Sequence, residues 1–237
     1  MKLFFAALGL AAFVTAALAQ LPIPVPGQPQ PQPQPAAGRG GRGPQANATP
    51  VRQVTAPIPT AVEVTGPGEF FETFMDDYDD VKKTATPAKD TYAKFNYEAR
   101  EYFVTGTTSA GAPYKTRIVV RKPKENARYN GLILAESMHP SGNPWVFHFT
   151  QTYAMTNGVI GLEILTSTPA GLTAANEARY KTLDVPNGAA NDILAQVGAL
   201  VKSKRNDNPL AGLATRKMIL AGSSASAGVA TACPSPH

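Results

Sequence analysis

The sequence predicts an α/β fold: two antiparallel strands, then a parallel β-α-β-α-β run, preceded by a disordered proline-rich arm. Three observations predict it. Apolar runs at 130–137 and 158–164 are compact and bounded by turn residues, as strands covered on both faces are. Stretches with helical spacing stand between and after them. The last short apolar run, Met218 to Gly222, passes straight into Gly222-Ser223-Ser224-Ala225-Ser226 and a Gly/Ala-rich segment able to open a helix. That sequence reads as a sharp strand-to-helix turn with Ser224 at its apex.

Residues 1–19 read as a signal peptide. Lys2 supplies the positive start, Leu3 to Ala17 is apolar, and Ala17-Leu18-Ala19 is a small-x-small cleavage site. The run is short for a membrane anchor, so no stable membrane span is expected after cleavage, and the mature chain begins near Gln20. A secreted or periplasmic protein is expected.

Residues 20–61 hold most of the surplus among 22 prolines. Proline fixes φ and removes a donor, so Pro22 to Pro35 favours extended polyproline II. Gly38-Arg39-Gly40-Gly41-Arg42-Gly43 is read as part of a linker, and Asn47-Ala48-Thr49 is a glycosylation sequon in form only, followed by Pro50. A partial α/β domain is expected over 62–233, with an atypical tail at 234–237.

Within the domain, Asp76, Asp77, Asp79 and Asp80 surround Tyr78 without the ligand spacing of a calcium loop, which leaves a solvated acidic turn. Phe95 to Gly106 is rich in aromatic and β-branched residues and reads as a strand. Ala112 to Arg121 alternates. Tyr114, Thr116, Ile118 and Val120 face one side, with Lys115, Arg117 and Arg121 on the other, which predicts a half-buried antiparallel partner. Pro144 to Thr156 reads as a helix connecting the two parallel strands, with Pro144 in its first turn. Ile193, Leu194, Val197, Leu200 and Val201 make an amphipathic helix ending in Lys202 and Lys204, with Asn187 or Asn191 as its cap.

The formal charge of +5 is modest and spread along the chain, which argues against a nucleic-acid binder, and the Arg-Gly tract is too short to change that. Three scattered histidines and one cysteine give no metal-ligand spacing, so no metal is expected. No phosphate loop of the G-x-x-x-x-G-K type appears, and no cofactor is expected. Cys233 has no second cysteine to pair with in the chain.

An ordered set of motifs carries a family resemblance. They are Tyr97-x-x-x-Glu101-Tyr102-Phe103-x-x-Gly106-Thr107, Pro113 to Pro123, Arg128-Tyr129-Asn130-Gly131, Arg179-Tyr180 and Gly222-x-Ser224. From about 62 to 232 the chain resembles the α/β-hydrolase superfamily, in its exported branch labelled "alpha/beta hydrolase domain-containing". The resemblance implies the N-terminal half of an α/β-hydrolase sheet, with Ser224 as nucleophile. It also implies an oxyanion hole formed by the backbone N–H of Ala225 and one from the loop after the third strand, for which Met138 is the candidate.

The chain departs from the pattern in two places. Ser226 stands where a glycine is usual. After Ser224 there is no Asp or Glu, and the only histidine is His237. The expected acid and base are therefore missing, and the chain reads as truncated after the elbow, whether as an interrupted sequence or a decayed gene. His139, on the loop facing the elbow, and His148 are the upstream histidines; each also reads as a structural residue. Glu136 and Glu163 end two strands on the carboxyl side where α/β sites cluster, and each reads equally as a site residue or as a strand end in a local salt bridge. The function expected is an exported serine hydrolase of carboxylic-ester type with a small-molecule ester substrate, weak or inactive as it stands. The alternative is a non-catalytic exported binding or interaction domain. An apolar sheet edge at 218–222 would permit self-association.

Overall fold

The structure, a computed structural model, describes residues 57–71, 74–75, 85–86, 88–140 and 142–232. The signal segment, the proline-rich arm, the acidic cluster at 76–80, Cys233 and the tail at 234–237 lie outside the described residues.

In chain order the elements are strand β1 (Thr60–Glu63), the two-residue strands β2 (Phe74–Met75) and β3 (Ala85–Thr86), and helix α1 (Ala88–Phe95). Strands β4 (Tyr97–Thr107) and β5 (Pro113–Pro123) follow, then β6 (Leu132–Ser137), α2 (Trp145–Thr156) and β7 (Ile160–Ile164). Two short helices, α3 (Ala170–Ala175) and α4 (Glu177–Tyr180), precede α5 (Ala190–Lys202), β8 (Lys217–Ala221) and α6 (Ala225–Ala232). β2 and β3 pair with each other; the other six strands form one sheet in the order β1-β4-β5-β7-β6-β8.

β4 and β5 pair antiparallel along their whole length, from Tyr97↔Pro123 to Thr107↔Pro113. β6 lies between β7 and β8 and is parallel to both. β7 is antiparallel to β5, so the sheet is mixed. The expected order of two antiparallel strands followed by β-α-β-α-β is what forms, and the molecule is an α/β protein.

Both faces of β6 and β7 are covered, which explains their unbroken apolar runs, whereas β8 at the sheet edge is partly exposed. Ile133, Ala135, Ile160, Leu162 and Ile164 pack with Ile193, Val197, Leu200 and Val201 of α5. On the opposite face Phe147, Ala154 and Met155 of α2 pack with Tyr92, Tyr97, Leu132 and Leu134. The chain leaves β6 to reach β7 on one side and later returns to lay β8 on the other. Such a switch in direction is the place, at the carboxyl ends of the strands, where ligands bind in open α/β sheets.

Two expectations need correction. β5 is not half-buried: Arg117 and Arg121 are 1% and 0% exposed. Their face is closed because neighbouring strands bring carboxylates to it. Glu101 of β4 and Glu163 of β7 sit opposite Val119, one on each side, and Arg117 and Arg121 flank Val119 on the same strand. Nor does Asn187 or Asn191 cap α5; the N-cap is Ala189, without a side-chain cap, and the Asn191 amide reaches toward the Ala232 carbonyl instead.

Candidate active site

β8 ends at Ala221 and α6 begins at Ala225, so three residues turn the chain from strand to helix. The apex is Ser224, whose φ is +51°; Asn96 is the only other non-glycine residue described with a positive φ. For a serine this left-handed conformation is strained by about 1–2 kcal/mol, so the surrounding contacts must hold it. They do so through Ser226, which is 3% exposed. Its hydroxyl accepts the Ser223 N–H at 2.9 Å and donates to the Ser223 carbonyl at 2.8 Å. The same carbonyl takes the Ser226 N–H at 3.0 Å, and the Ser224 carbonyl takes the Ala227 N–H at 3.1 Å. Where glycine is usual, a serine thus ties the turn shut. Gly222 permits the approach: a Cβ there would lie 2.3 Å from the Ser226 carbonyl oxygen.

Ser224 and Ala225 are exposed. Among the described residues neither the Ser224 hydroxyl nor the Ala225 N–H has a hydrogen-bond partner. Ala225 is the first residue of α6, so its N–H is one of the donors a helix start leaves open, at the positive end of the helix dipole.

The loop after β6 leaves the same edge of the sheet. β6 and β8 are parallel, with Glu136 opposite Ala221, and α6 packs against β6. Met138, however, is not placed as expected. Its N–H donates to the Ile164 carbonyl at 2.8 Å and its side chain is buried among Leu165, Leu172 and Tyr180. The β6–β7 ladder runs one residue further than the sequence suggests, and that bond occupies the amide.

His139 sets its ring edge-on to Trp145, with centroids 6.3 Å apart. His148 is buried beside Trp145 and Phe149. No hydrogen bond joins either to Ser224. Glu163 is a salt-bridge residue: it binds Arg117 at 2.7 Å and Arg121 at 2.8 Å. Glu136 is 1% exposed, in register with Glu163, and accepts the Val146 and Phe147 N–H groups at 2.9 Å each. Burial and the nearby Glu163 push its carboxyl up to about 7, against the pull of those two amides and Arg121.

Glu101, Arg179 and Tyr180, which entered the sequence analysis only as motif residues, assemble with Arg117 into one buried network. Glu101 takes bonds from Arg117, from Arg179 at 2.6 Å and from the Tyr180 hydroxyl at 2.9 Å. Burial holds that phenol up to about 12, against the pull of Arg117 and the Phe71 amide. Arg179 also donates to the carbonyls of Val64 at 2.9 Å and Gly68 at 2.6 Å, and Arg117 to that of Phe71. Charged residues inside strand-like sequence were the available signal. Among the described residues no three His, Cys, Asp or Glu side chains gather as a metal site requires, and no helix is long and apolar enough to cross a membrane.

Three solved structures illustrate the likeness to known proteins. Esterase Est22 is 14% identical with a TM-score of 0.38, the match covering 60% of this chain and 39% of that one. Esterase Est2 of Thermogutta terrifontis is 17% identical with a TM-score of 0.31, covering 48% of this chain and 38% of its own. The cell-wall-degrading esterase LipA of Xanthomonas oryzae is 14% identical with a TM-score of 0.31, covering 71% and 42%. The chain therefore spans about two fifths of the length of these proteins. No curated protein matches the sequence. The model of the alpha/beta hydrolase domain family matches residues 54–232, well over half of the sequence, and the chain belongs to that family.

Proposed function

We propose that this chain carries the nucleophile of an exported serine hydrolase acting on small carboxylic esters. The observation that supports it is the strained apex: a serine at φ +51° between a parallel strand and a helix, with the Ala225 N–H open beside it. In this reading the Ser224 hydroxyl adds to the ester carbonyl carbon and loses its proton to solvent water, which returns one to the departing alkoxide. The oxyanion receives the Ala225 N–H, and collapse expels the alcohol, which takes a proton, leaving an acyl-enzyme for water to cleave. With the Met138 amide bonded to Ile164 and that of Gly142 to the His139 carbonyl, a second donor among the described residues is drawn from the N–H groups of His139 and Asn143, since Pro140 and Pro144 carry none. Among the described residues no base is hydrogen-bonded to Ser224, so turnover by these residues is expected to be slow; a serine without its base retains only a small part of its rate. Export rests on Lys2, the apolar run and Ala17-Leu18-Ala19. A mature N-terminus at Gln20, read by mass spectrometry, supports it, and an intact Met1 in the exported fraction counts against it.

A fluorophosphonate probe tests the chemistry. Labelling of the wild type that disappears in Ser224→Ala supports the nucleophile; equal labelling of both, or none of either, removes it. The alternative is a non-catalytic interaction domain. It draws on β8, the last strand in the sheet order, where Ile219 is 43% exposed. Concentration-dependent dimers in sedimentation, abolished by Ile219→Lys, would favour that alternative.

A further inference from the structure

We propose that Glu136 is a positioning residue: its carboxylate clamps the start of α2 to the end of β6, and so fixes the intervening loop beside the elbow. The loop's part in catalysis rests on the hydrolase reading; the clamp does not. The N-cap of α2 is Pro144, which has no side-chain acceptor to offer. The first-turn amides would be left open at a position where Phe147 is 1% exposed and water is excluded. Glu136 fills that gap from ten and eleven residues upstream, one oxygen for each amide, with the positive end of the helix dipole behind them.

The consequence is a closed ring. The β6 end is held in the sheet between β7 and β8, and the α2 start is held to the β6 end. The loop between them, 138–144, has both of its ends fixed within one side-chain length. Because Glu136 lies opposite Ala221, the clamp sits one strand away from the residue that precedes Gly222. An amide that must meet a developing oxyanion has to be held to a fraction of an ångström, and fixing both loop ends is how a short loop achieves that. The charged groups that act on Glu136 are Glu163 on β7 and Arg121 on β5; α2 carries His148, Ala221 faces Glu136 from β8, and α6 carries no ionisable side chain.

Amide hydrogen exchange on the full chain tests the clamp. Glu136→Gln keeps one acceptor oxygen and turns an NH2 toward the other amide; Glu136→Ala removes both. We expect protection at Val146 or Phe147 to fall by about tenfold in the first variant and at both in the second, with the loop amides of Met138, His139, Gly142 and Asn143 following and β4 and β5 unchanged. Wild-type exchange at both amides in both variants would overturn the proposal. If the variants lose protection everywhere, the wild type decides. Amide-proton resonances of Val146 and Phe147 that move together with one midpoint, anywhere in the pH range over which the chain stays folded, support a shared carboxylate acceptor, and resonances that move with two different midpoints refute it. Should the probe fail to label wild-type Ser224, the hydrolase reading falls while the exchange result still stands. Where labelling occurs, Glu136→Gln should slow it while leaving the labelled site at Ser224.

Discussion

Replacing Glu136 by glutamine removes one titration from the fold while leaving shape and volume almost unchanged, which makes its effect on stability calculable. The carboxyl is 1% exposed, and burial, with Glu163 in register beside it, holds its pKa at about 7 instead of 4.5. Between those two values the folded chain binds more protons at this site than the unfolded chain does. Stability contributed by this group is therefore greatest at low pH and is lost as pH rises through the window. A rise from 4.5 to about 7, at ~1.4 kcal/mol for each tenfold change in proton affinity, makes the ionised fold less stable by about 3 kcal/mol. The neutral variant has no such slope. The assay is urea unfolding of wild type and Glu136→Gln at about pH 5 and about pH 8, with reversibility checked at each. The wild type should lose about 2–3 kcal/mol more than the variant between the two. Parallel behaviour would refute the reasoning. So would a wild type that gains on the variant as pH rises, since that is how a carboxylate governed by Arg121 and its two amides, and not by burial, would behave.

Three further outcomes are expected. Gly222→Ala puts a Cβ 2.3 Å from the Ser226 carbonyl oxygen, so it should lower stability by about 1–3 kcal/mol and reduce probe labelling of Ser224; a variant equal to wild type in both would mean the turn is looser than described. Ser224→Gly should stabilise the chain by ~1 kcal/mol in the same unfolding assay, because glycine occupies φ +51° without strain, while abolishing labelling. A less stable variant would contradict the strain argument. Glu101→Gln leaves Arg117 and Arg179 without their shared carboxylate and should lower stability by about 3–5 kcal/mol, whereas Arg100→Ala, which breaks only exposed pairs with Glu63 and Glu98, should change it by ~0–1 kcal/mol. Similar losses in the two would show that burial does not set the strength of these pairs.

The sequence revealed what depends on neighbours along the chain and concealed what depends on neighbours across it. Strand and helix positions followed from local pattern: apolar runs for β6 and β7, spacing at Ile193, Val197 and Leu200 for α5, and the small residues around Ser224 for the elbow. The Arg117 and Arg121 face of β5 looked solvent-exposed because nothing nearby in sequence says that Glu101 and Glu163 will flank it. Asn187 and Asn191 had the right chemistry for a cap and the wrong backbone position. The Met138 amide was lost to a ladder bond whose acceptor, Ile164, lies on another strand. Glu136 was visible as a carboxylate at a strand end, but its partners are amides of a helix that shows no capping residue of its own.

The ring of donors around Glu101 also dictates an order of events at the ribosome. The carbonyls of Val64, Gly68 and Phe71 emerge early, yet the guanidinium groups they receive belong to Arg117 and Arg179, the latter separated from Val64 by 115 residues. Until that distant arginine is synthesised, Glu101 lacks one of its two guanidinium partners and the carbonyls of Val64 and Gly68 lack their donor, although β1 can already pair with β4. The docking of residues 64–68 is thus completed late, well after the strands β4 and β5 that flank it have been made.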